Sequence, residues 1–213
     1  MMNNAINFLL AGVGGQGTIL ASDVLVNVGL EAGFQAKQAE VHGMSQRGGS
    51  VTSHVRWGQV VHSPLIGAGE ADVLLAFEKL EALRSLNAMR TDALVLVNTQ
   101  VIVPLTVISG DQVYPDDTIL RQAFARLTPH LEFINGEEIA GSLGNMKAAN
   151  VVLLGALSAL LEHDVKTGVA IDPELWLKVI TARVPAKHVE LNRRAFQAGR
   201  EAVGLQLLAP LPA

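Results

Sequence analysis

Apolar and polar positions along the chain follow two rhythms. Ile6-Asn7-Phe8-Leu9-Leu10-Ala11 is a nearly continuous apolar run that ends in the glycine turn Gly12-Val-Gly-Gly-Gln-Gly17. Ile19, Leu20, Val24, Leu25 and Val28 then recur at helical spacing. The pattern predicts a strand, a tight turn and a helix over residues 18–32, with Thr18 placed to cap it and Gly33 to stop it. Residues 34–41 read as a second strand, and 51–57 and 60–66 alternate about Gly58-Gln59 as a hairpin would. Residues 72–77 and 92–97 are apolar enough for strands buried on both faces. Between them an amphipathic helix is predicted from Glu78 to about residue 89, with Leu80, Leu83 and Leu86 inward. Pro104 breaks the β-rich stretch 101–108 into an edge or irregular segment, 118–127 reads as a helix and 131–135 as a short strand.

The remainder is helical. Residues 145–163 are apolar nearly all round, which buries a helix on every side, in the core or beneath a partner. Asp172-Pro173 opens another helix to about residue 183, and Pro185 starts the last, to about 203. The expected fold class is α/β: a Rossmann-like, mostly parallel sheet with a β-hairpin insertion and C-terminal helices. One domain is expected over residues 1–213, with the Rossmann-like core at about 6–144 and the helices at about 145–204.

Composition narrows the function. Hydrophobic residues make up 49% and charged residues 17%, below the usual charged share of about 25%. That surplus means a large core or a surface covered by other subunits. A net charge of −4 argues against nucleic acid, whose phosphates need a basic face. The absence of cysteine excludes disulfides and thiolate-held iron–sulfur clusters in this sequence. The six histidines lack zinc-ligand spacing. Met1-Met2-Asn3-Asn4 has no basic n-region, and the longest apolar run, 151–161, is too short to span a bilayer. The expectation is a soluble, cytoplasmic protein without a membrane contact.

Ligands of parallel α/β sheets gather beyond the carboxyl ends of the strands. Those predicted ends form one rim: the glycine turn, Glu40 with His42, Phe77-Glu78, Asn98-Thr99 and Asn135-Gly136. Gly12, Gly14 and Gly17 match the G-x-G-x-x-G spacing that lets a backbone approach a phosphate at a helix N-terminus. A turn that only packs a helix onto a strand fits the same residues. Glu40, 23 residues after Gly17, stands where a dinucleotide fold places its ribose-binding acid, or is a solvent-facing glutamate at a strand end. Arg47, flanked by Ser45, Gln46, Gly48 and Gly49, can receive an anion, meet a subunit or pair with a carboxylate. His42 and Ser45 lack a nucleophile elbow. Glu78 is a rim acid or base, or a complement to a helix dipole, and His54 and His62 read as surface or packing residues. No catalytic residue and no metal ligand is assigned.

The residues in order also carry a resemblance. Gly12-Val-Gly-Gly-Gln-Gly17, Glu40-Val-His-Gly-Met-Ser-Gln-Arg-Gly-Gly-Ser50, Ser63-Pro-Leu-Ile66 with Ala71-Asp72, and Asn150-Val-Val-Leu-Leu-Gly155 together resemble the gamma-type subunit of 2-oxoacid:ferredoxin oxidoreductases. The second of these motifs is most similar to the beta subunit of indolepyruvate ferredoxin oxidoreductase. The resemblance covers about residues 6–204. It implies a single pyruvate/ketoisovalerate oxidoreductase gamma-type domain that bears no cofactor of its own. It further implies that thiamine diphosphate and the iron–sulfur clusters sit in a partner subunit, which decarboxylates a 2-oxo acid oxidatively and passes electrons to ferredoxin. Coenzyme A is the ligand implied near this domain, with Gly12, Gly14, Gly15, Gln16, Gly17, Ser45, Gln46, Arg47, Gly48 and Gly49 as candidate contacts. The chain alone is expected to be inactive and to work in a hetero-oligomer, with a homodimer through this chain left open. The competing readings are a nicotinamide-dependent Rossmann dehydrogenase and a purely structural scaffold subunit.

Overall fold

The computed structural model describes residues 5–42, 49–110, 113–163 and 168–207. Strands β1 (Ile6–Val13), β2 (Gln35–His42), β3 (Ser50–Gly58), β4 (Ala71–Ala76), β5 (Met89–Asn98) and β6 (Leu131–Ile134) form one sheet in the order β2-β3-β1-β4-β5-β6. The helices are α1 (Thr18–Glu31), α2 (Lys79–Arg84), the single turn α3 (Leu105–Ile108), α4 (Asp117–Ala125), α5 (Gly136–Ser142), α6 (Ala149–His163), α7 (Pro173–Thr181) and α8 (Val189–Leu207).

β1, β4, β5 and β6 pair in parallel, Leu10 facing Leu75 and Leu75 facing Leu96. β1, β4 and the second half of β5 are buried on both faces, which is why these segments read as apolar runs, while the edge strand β6 is mostly half-buried. β3 runs antiparallel between β1 and β2, from Ile6 opposite Trp57 to Val13 opposite Ser50. Three of the five pairings are therefore parallel, as expected for the fold class, and the inserted hairpin is β2–β3.

The hairpin thus lies one strand earlier than the 51–57/60–66 alternation predicts. Both edges of β3 are already occupied, by β1 and β2, so the chain after Gly58 cannot pair back onto β3 as a hairpin. Residues 59–70 instead cross the sheet face irregularly. Arg56 Nη1 donates to the carbonyls of Ser63 (3.3 Å) and Leu65 (3.1 Å), and Ile66 N donates to His54 Nδ1 (3.0 Å).

That last bond has a pH consequence. His54 must be unprotonated at Nδ1 to accept from Ile66, and burial pushes its pKa below the ordinary imidazole value. The folded state binds fewer protons than the unfolded one, so this contribution is present above about pH 6.5 and is lost as the pH falls towards the lowered folded value. Denaturant midpoints should decline on acidification below about pH 6.5, and His54→Gln should flatten that part of the curve.

Two cores result. Beneath α1, α6, α7 and α8 lie Phe8, Leu10, Val55 and Trp57, joined to Trp176 and Phe196 by ring contacts of 4.5 to 6.5 Å. On the other face Leu9, Leu74, Val95 and Val97 pack against Ala82, Leu120 and Phe124 of α2 and α4. α6 settles the question left by its apolar sequence: residues 149–161 are all buried within this chain. Its Gly155 faces α8, and a Cβ there would lie 2.0 Å from the Phe196 carbonyl oxygen. At Gly199 a Cβ would lie 1.9 Å from that of Val152. Two bare backbones thus pack against each other.

Helix ends differ in detail from expectation. Gly17, left-handed at φ 82°, caps α1, and Thr18 is its first residue. α2 is shorter than the predicted 78–89 and buries Glu81 and Ala82, while Leu80, Leu83 and Leu86 are half-buried. α5 has no apolar periodicity to announce it; Asn135 starts it by accepting from Glu138 N at 3.2 Å.

Candidate functional site

Because β2 and β1 both run against β3, the carboxyl ends of β1, β2, β4, β5 and β6 share one edge with the start of β3. The expected rim is therefore a structural rim. α1 leaves β1 on one face and α2 leaves β4 on the other, so the crevice between β1 and β4 is the topological switch point.

The glycine turn occupies that crevice. A Cβ on Gly12 would meet Thr18 Cγ2 at 2.7 Å and Gln16 Oε1 at 2.9 Å, so only glycine lets the strand end tuck under the turn. Gly14 N donates to the Gly49 carbonyl at 2.9 Å. Gly15 is exposed at φ 109°, with nothing within 4 Å of its would-be Cβ. α1 begins at Gly17 with no side-chain cap and no acid in its first turn. Its opening N–H groups and dipole are thus available to an anion.

Gln16 faces inward. Its Oε1 accepts from Val13 N (2.7 Å), and its Nε2 donates to the Phe77 carbonyl (2.9 Å) and to Gln100 Oε1. One amide thereby braces the ends of β1, β4 and β5 and fills the crevice from within. Asn98 acts the same way on the next gap: Nδ2 donates to the Phe77 carbonyl and Glu137, and Oδ1 accepts from Gly136 N.

Residues 43–48, and with them the candidates Ser45, Gln46, Arg47 and Gly48, lie outside the described residues. The return of their loop is described. Gly49 is bonded to Gly14, and Ser50 Oγ donates to Glu81 Oε2 at 2.6 Å while Arg84 pairs with Glu81 Oε1. The chain leaving that loop is pinned between the glycine turn and α2.

Glu40 does not join the turn. It is exposed on the edge strand β2, and β3 intervenes. Two strand spacings put it about 10 Å from β1. Glu78 is 1% exposed and fully engaged: it accepts from Leu80 N (2.7 Å), Glu81 N (3.1 Å), Ile102 N (3.1 Å) and the Tyr114 hydroxyl. Burial, and then the bond to Glu78, push the Tyr114 pKa far up, so the phenol stays a donor. This carboxylate ties α2 to the segment after β5. Among the described residues no group of three His, Asp or Glu side chains is placed to hold a metal, and no helix is long and apolar enough to cross a membrane.

The sequence profile of the pyruvate ferredoxin/flavodoxin oxidoreductase family matches residues 7–202. The chain belongs to that family. Within it, the chain is 38% identical over 197 residues to the indolepyruvate oxidoreductase subunit IorB of Thermococcus kodakarensis, spanning 92% of this chain and 95% of that protein. The IorB of Archaeoglobus fulgidus is 37% identical over 194 residues, 91% of this chain and 93% of the other. The gamma subunit of a keto/oxoacid ferredoxin oxidoreductase from Geobacter sulfurreducens superposes with a TM-score of 0.66 at 26% identity, covering 94% of this chain and 99% of that one. A 2-oxoglutarate:ferredoxin oxidoreductase from Magnetococcus marinus shares the fold at a TM-score of 0.69 and 18% identity. There the match covers 94% of this chain but 31% of the larger one. The family expectation and the α/β fold expectation are both met.

Sequence reasoning passed over two residues that organise the site. Gln100 completes the Gln16 brace, and Asn150, quoted only as part of a motif, lies against Gly17. An asparagine at the start of an otherwise apolar helix was the available signal.

Proposed function

We propose that this chain is the gamma-type subunit, bearing no redox cofactor, of an indolepyruvate-type 2-oxoacid:ferredoxin oxidoreductase, and that its glycine-rich rim receives coenzyme A. The observation that carries the reading is the near end-to-end match to IorB subunits by a sequence without cysteine. The thiamine diphosphate and iron–sulfur chemistry then belongs to a partner subunit. The overall reaction converts a 2-oxo acid and coenzyme A to an acyl-CoA and carbon dioxide, with two electrons passing to ferredoxin. The working place is the cytoplasm.

The residues present fit a phosphorylated ligand. Gly15 offers an open, side-chain-free approach, and the uncapped start of α1 offers N–H donors and the positive end of a dipole. In this reading Gly14, Gly15 and Gly17 shape the approach, Gly12 and Gln16 hold the turn, and Gly49 bonds to that turn; Ser45, Gln46, Arg47 and Gly48 are candidate contacts from the sequence alone. The contribution of the chain is to bind and orient coenzyme A, and to complete the assembly around the partner's reacting centre. A nicotinamide dehydrogenase is disfavoured, since Gln16 fills the crevice and Glu40 stands a strand too far away.

Gly15→Asp in the assembled enzyme tests the ligand. The backbone strain of a non-glycine residue at the φ of 109° that Gly15 adopts is about 1–3 kcal/mol, small enough for the chain to fold. The added carboxylate should raise the KM for coenzyme A at least about tenfold, with kcat at saturation changed less than about twofold. An unchanged KM in a folded variant contradicts the reading.

A further inference from the structure

Two long helices begin at one point on the rim. Gly17 caps the 14-residue α1. The 15-residue α6, also without an acid in its first turn, brings its second residue, Asn150, against that cap. Asn150 Nδ2 lies 2.6 Å from where a Cβ on Gly17 would stand, a contact only glycine permits. Asn150 is 7% exposed. Its Oδ1 accepts from Val151 N at 3.0 Å, but among the described residues its Nδ2 has no acceptor. The backbone N–H groups of Gly17 and Thr18 are likewise without an acceptor there. Among the described residues Ser53 Oγ is the only fully buried side-chain nitrogen or oxygen atom without a partner, so this Nδ2 keeps solvent contact and is open to a ligand, and the α1 dipole adds positive potential at the same spot. The nearby carboxylate of Glu137 is held by Asn98 Nδ2, at 2.9 and 3.1 Å.

We propose that Asn150 Nδ2, together with the Gly17 and Thr18 N–H groups, forms a pocket for a single phosphate group, making Asn150 a ligand-binding residue of the rim. The inference rests on the coenzyme A reading above and specifies a residue and a moiety within it. The phosphate is either the 3′-phosphate or one phosphate of the diphosphate bridge.

The test is Asn150→Asp in the assembled enzyme. Aspartate is isosteric with asparagine and keeps the oxygen that accepts from Val151 N, so the packing against Gly17 is retained. Its negative charge repels phosphate, so the KM for coenzyme A should rise at least about tenfold with kcat within about twofold. A packing role alone predicts an unchanged KM. Repeating the assay with 3′-dephospho-coenzyme A assigns the group. A penalty that vanishes marks the 3′-phosphate and one that persists marks the diphosphate; either supports the pocket. If Gly15→Asp raises the KM and Asn150→Asp does not, the pocket is overturned while the coenzyme A reading stands. If neither variant moves the KM, both fall. Should Asn150→Asp not fold, Asn150→Ala decides by the same KM criterion, with an expected rise of at least about threefold.

Discussion

Replacing Gly155 by alanine is expected to destabilise the chain by about 3 kcal/mol or more, the upper end of overpacking costs, although alanine is the better helix former. The new Cβ would stand 2.0 Å from the Phe196 carbonyl oxygen and 2.8 Å from its carbon. Both atoms are backbone, so no side-chain rotation relieves the contact. α6 and α8 must part instead, and with them the packing of Trp176 against Phe196, whose ring centroids are 6.3 Å apart. For a chain of this length the melting temperature should fall by roughly 6–12 °C. Gly141→Ala in α5 is the control. Its Cβ would meet only Met146 Cγ at an ordinary 3.4 Å, and φ there is not positive. That variant should gain about 0.5–1 kcal/mol from helix propensity. Thermal melts of the two variants beside the parent read both signs, and equal shifts would contradict the close-packed α6–α8 contact.

The second large effect is at Glu78. Alanine there strands three backbone N–H groups and the Tyr114 hydroxyl in a site 1% exposed, and it removes the α2 cap. The expected loss is about 2–4 kcal/mol, from unsatisfied donors and the missing cap together. Glutamine is not an innocent substitute, because its NH2 would face donors at whichever oxygen it replaces. Activity per folded molecule should change little in the assembled enzyme. A large drop in kcat with an unaltered melting curve would instead make Glu78 an acid or base in the reaction, against its engagement by four donors.

Much of this was legible in the chain. β1, the glycine turn and α1 announce themselves because a buried strand is apolar at every position and the turn needs residues without side chains. The rim followed, since parallel strands must end on a common edge. The position of the inserted hairpin did not follow. The alternation in residues 60–66 is the same whether the segment pairs as a strand or lies across a sheet face, and only the occupancy of both β3 edges decides it. α5 was invisible because its seven residues, GEEIAGS, carry a cap rather than an apolar stripe. Gln16 reads as one more member of a glycine-rich loop, yet its amide is spent on three partners inside the fold. Asn150 was hidden for the opposite reason: its neighbours suggest pure core, while its position is set by Gly17, 133 residues earlier in the chain.

In the proposed function this chain lends a ligand-binding edge to chemistry carried by another subunit. The most direct measurement is 2-oxo acid-dependent reduction of ferredoxin, made once with the purified chain alone and once with the chain co-purified with its native partner. The expected result is a colourless chain without turnover, and a brown, thiamine-containing complex whose turnover requires coenzyme A. Oxidation of a 2-oxo acid, or hydride transfer to a nicotinamide, by the chain alone at a comparable rate would contradict it.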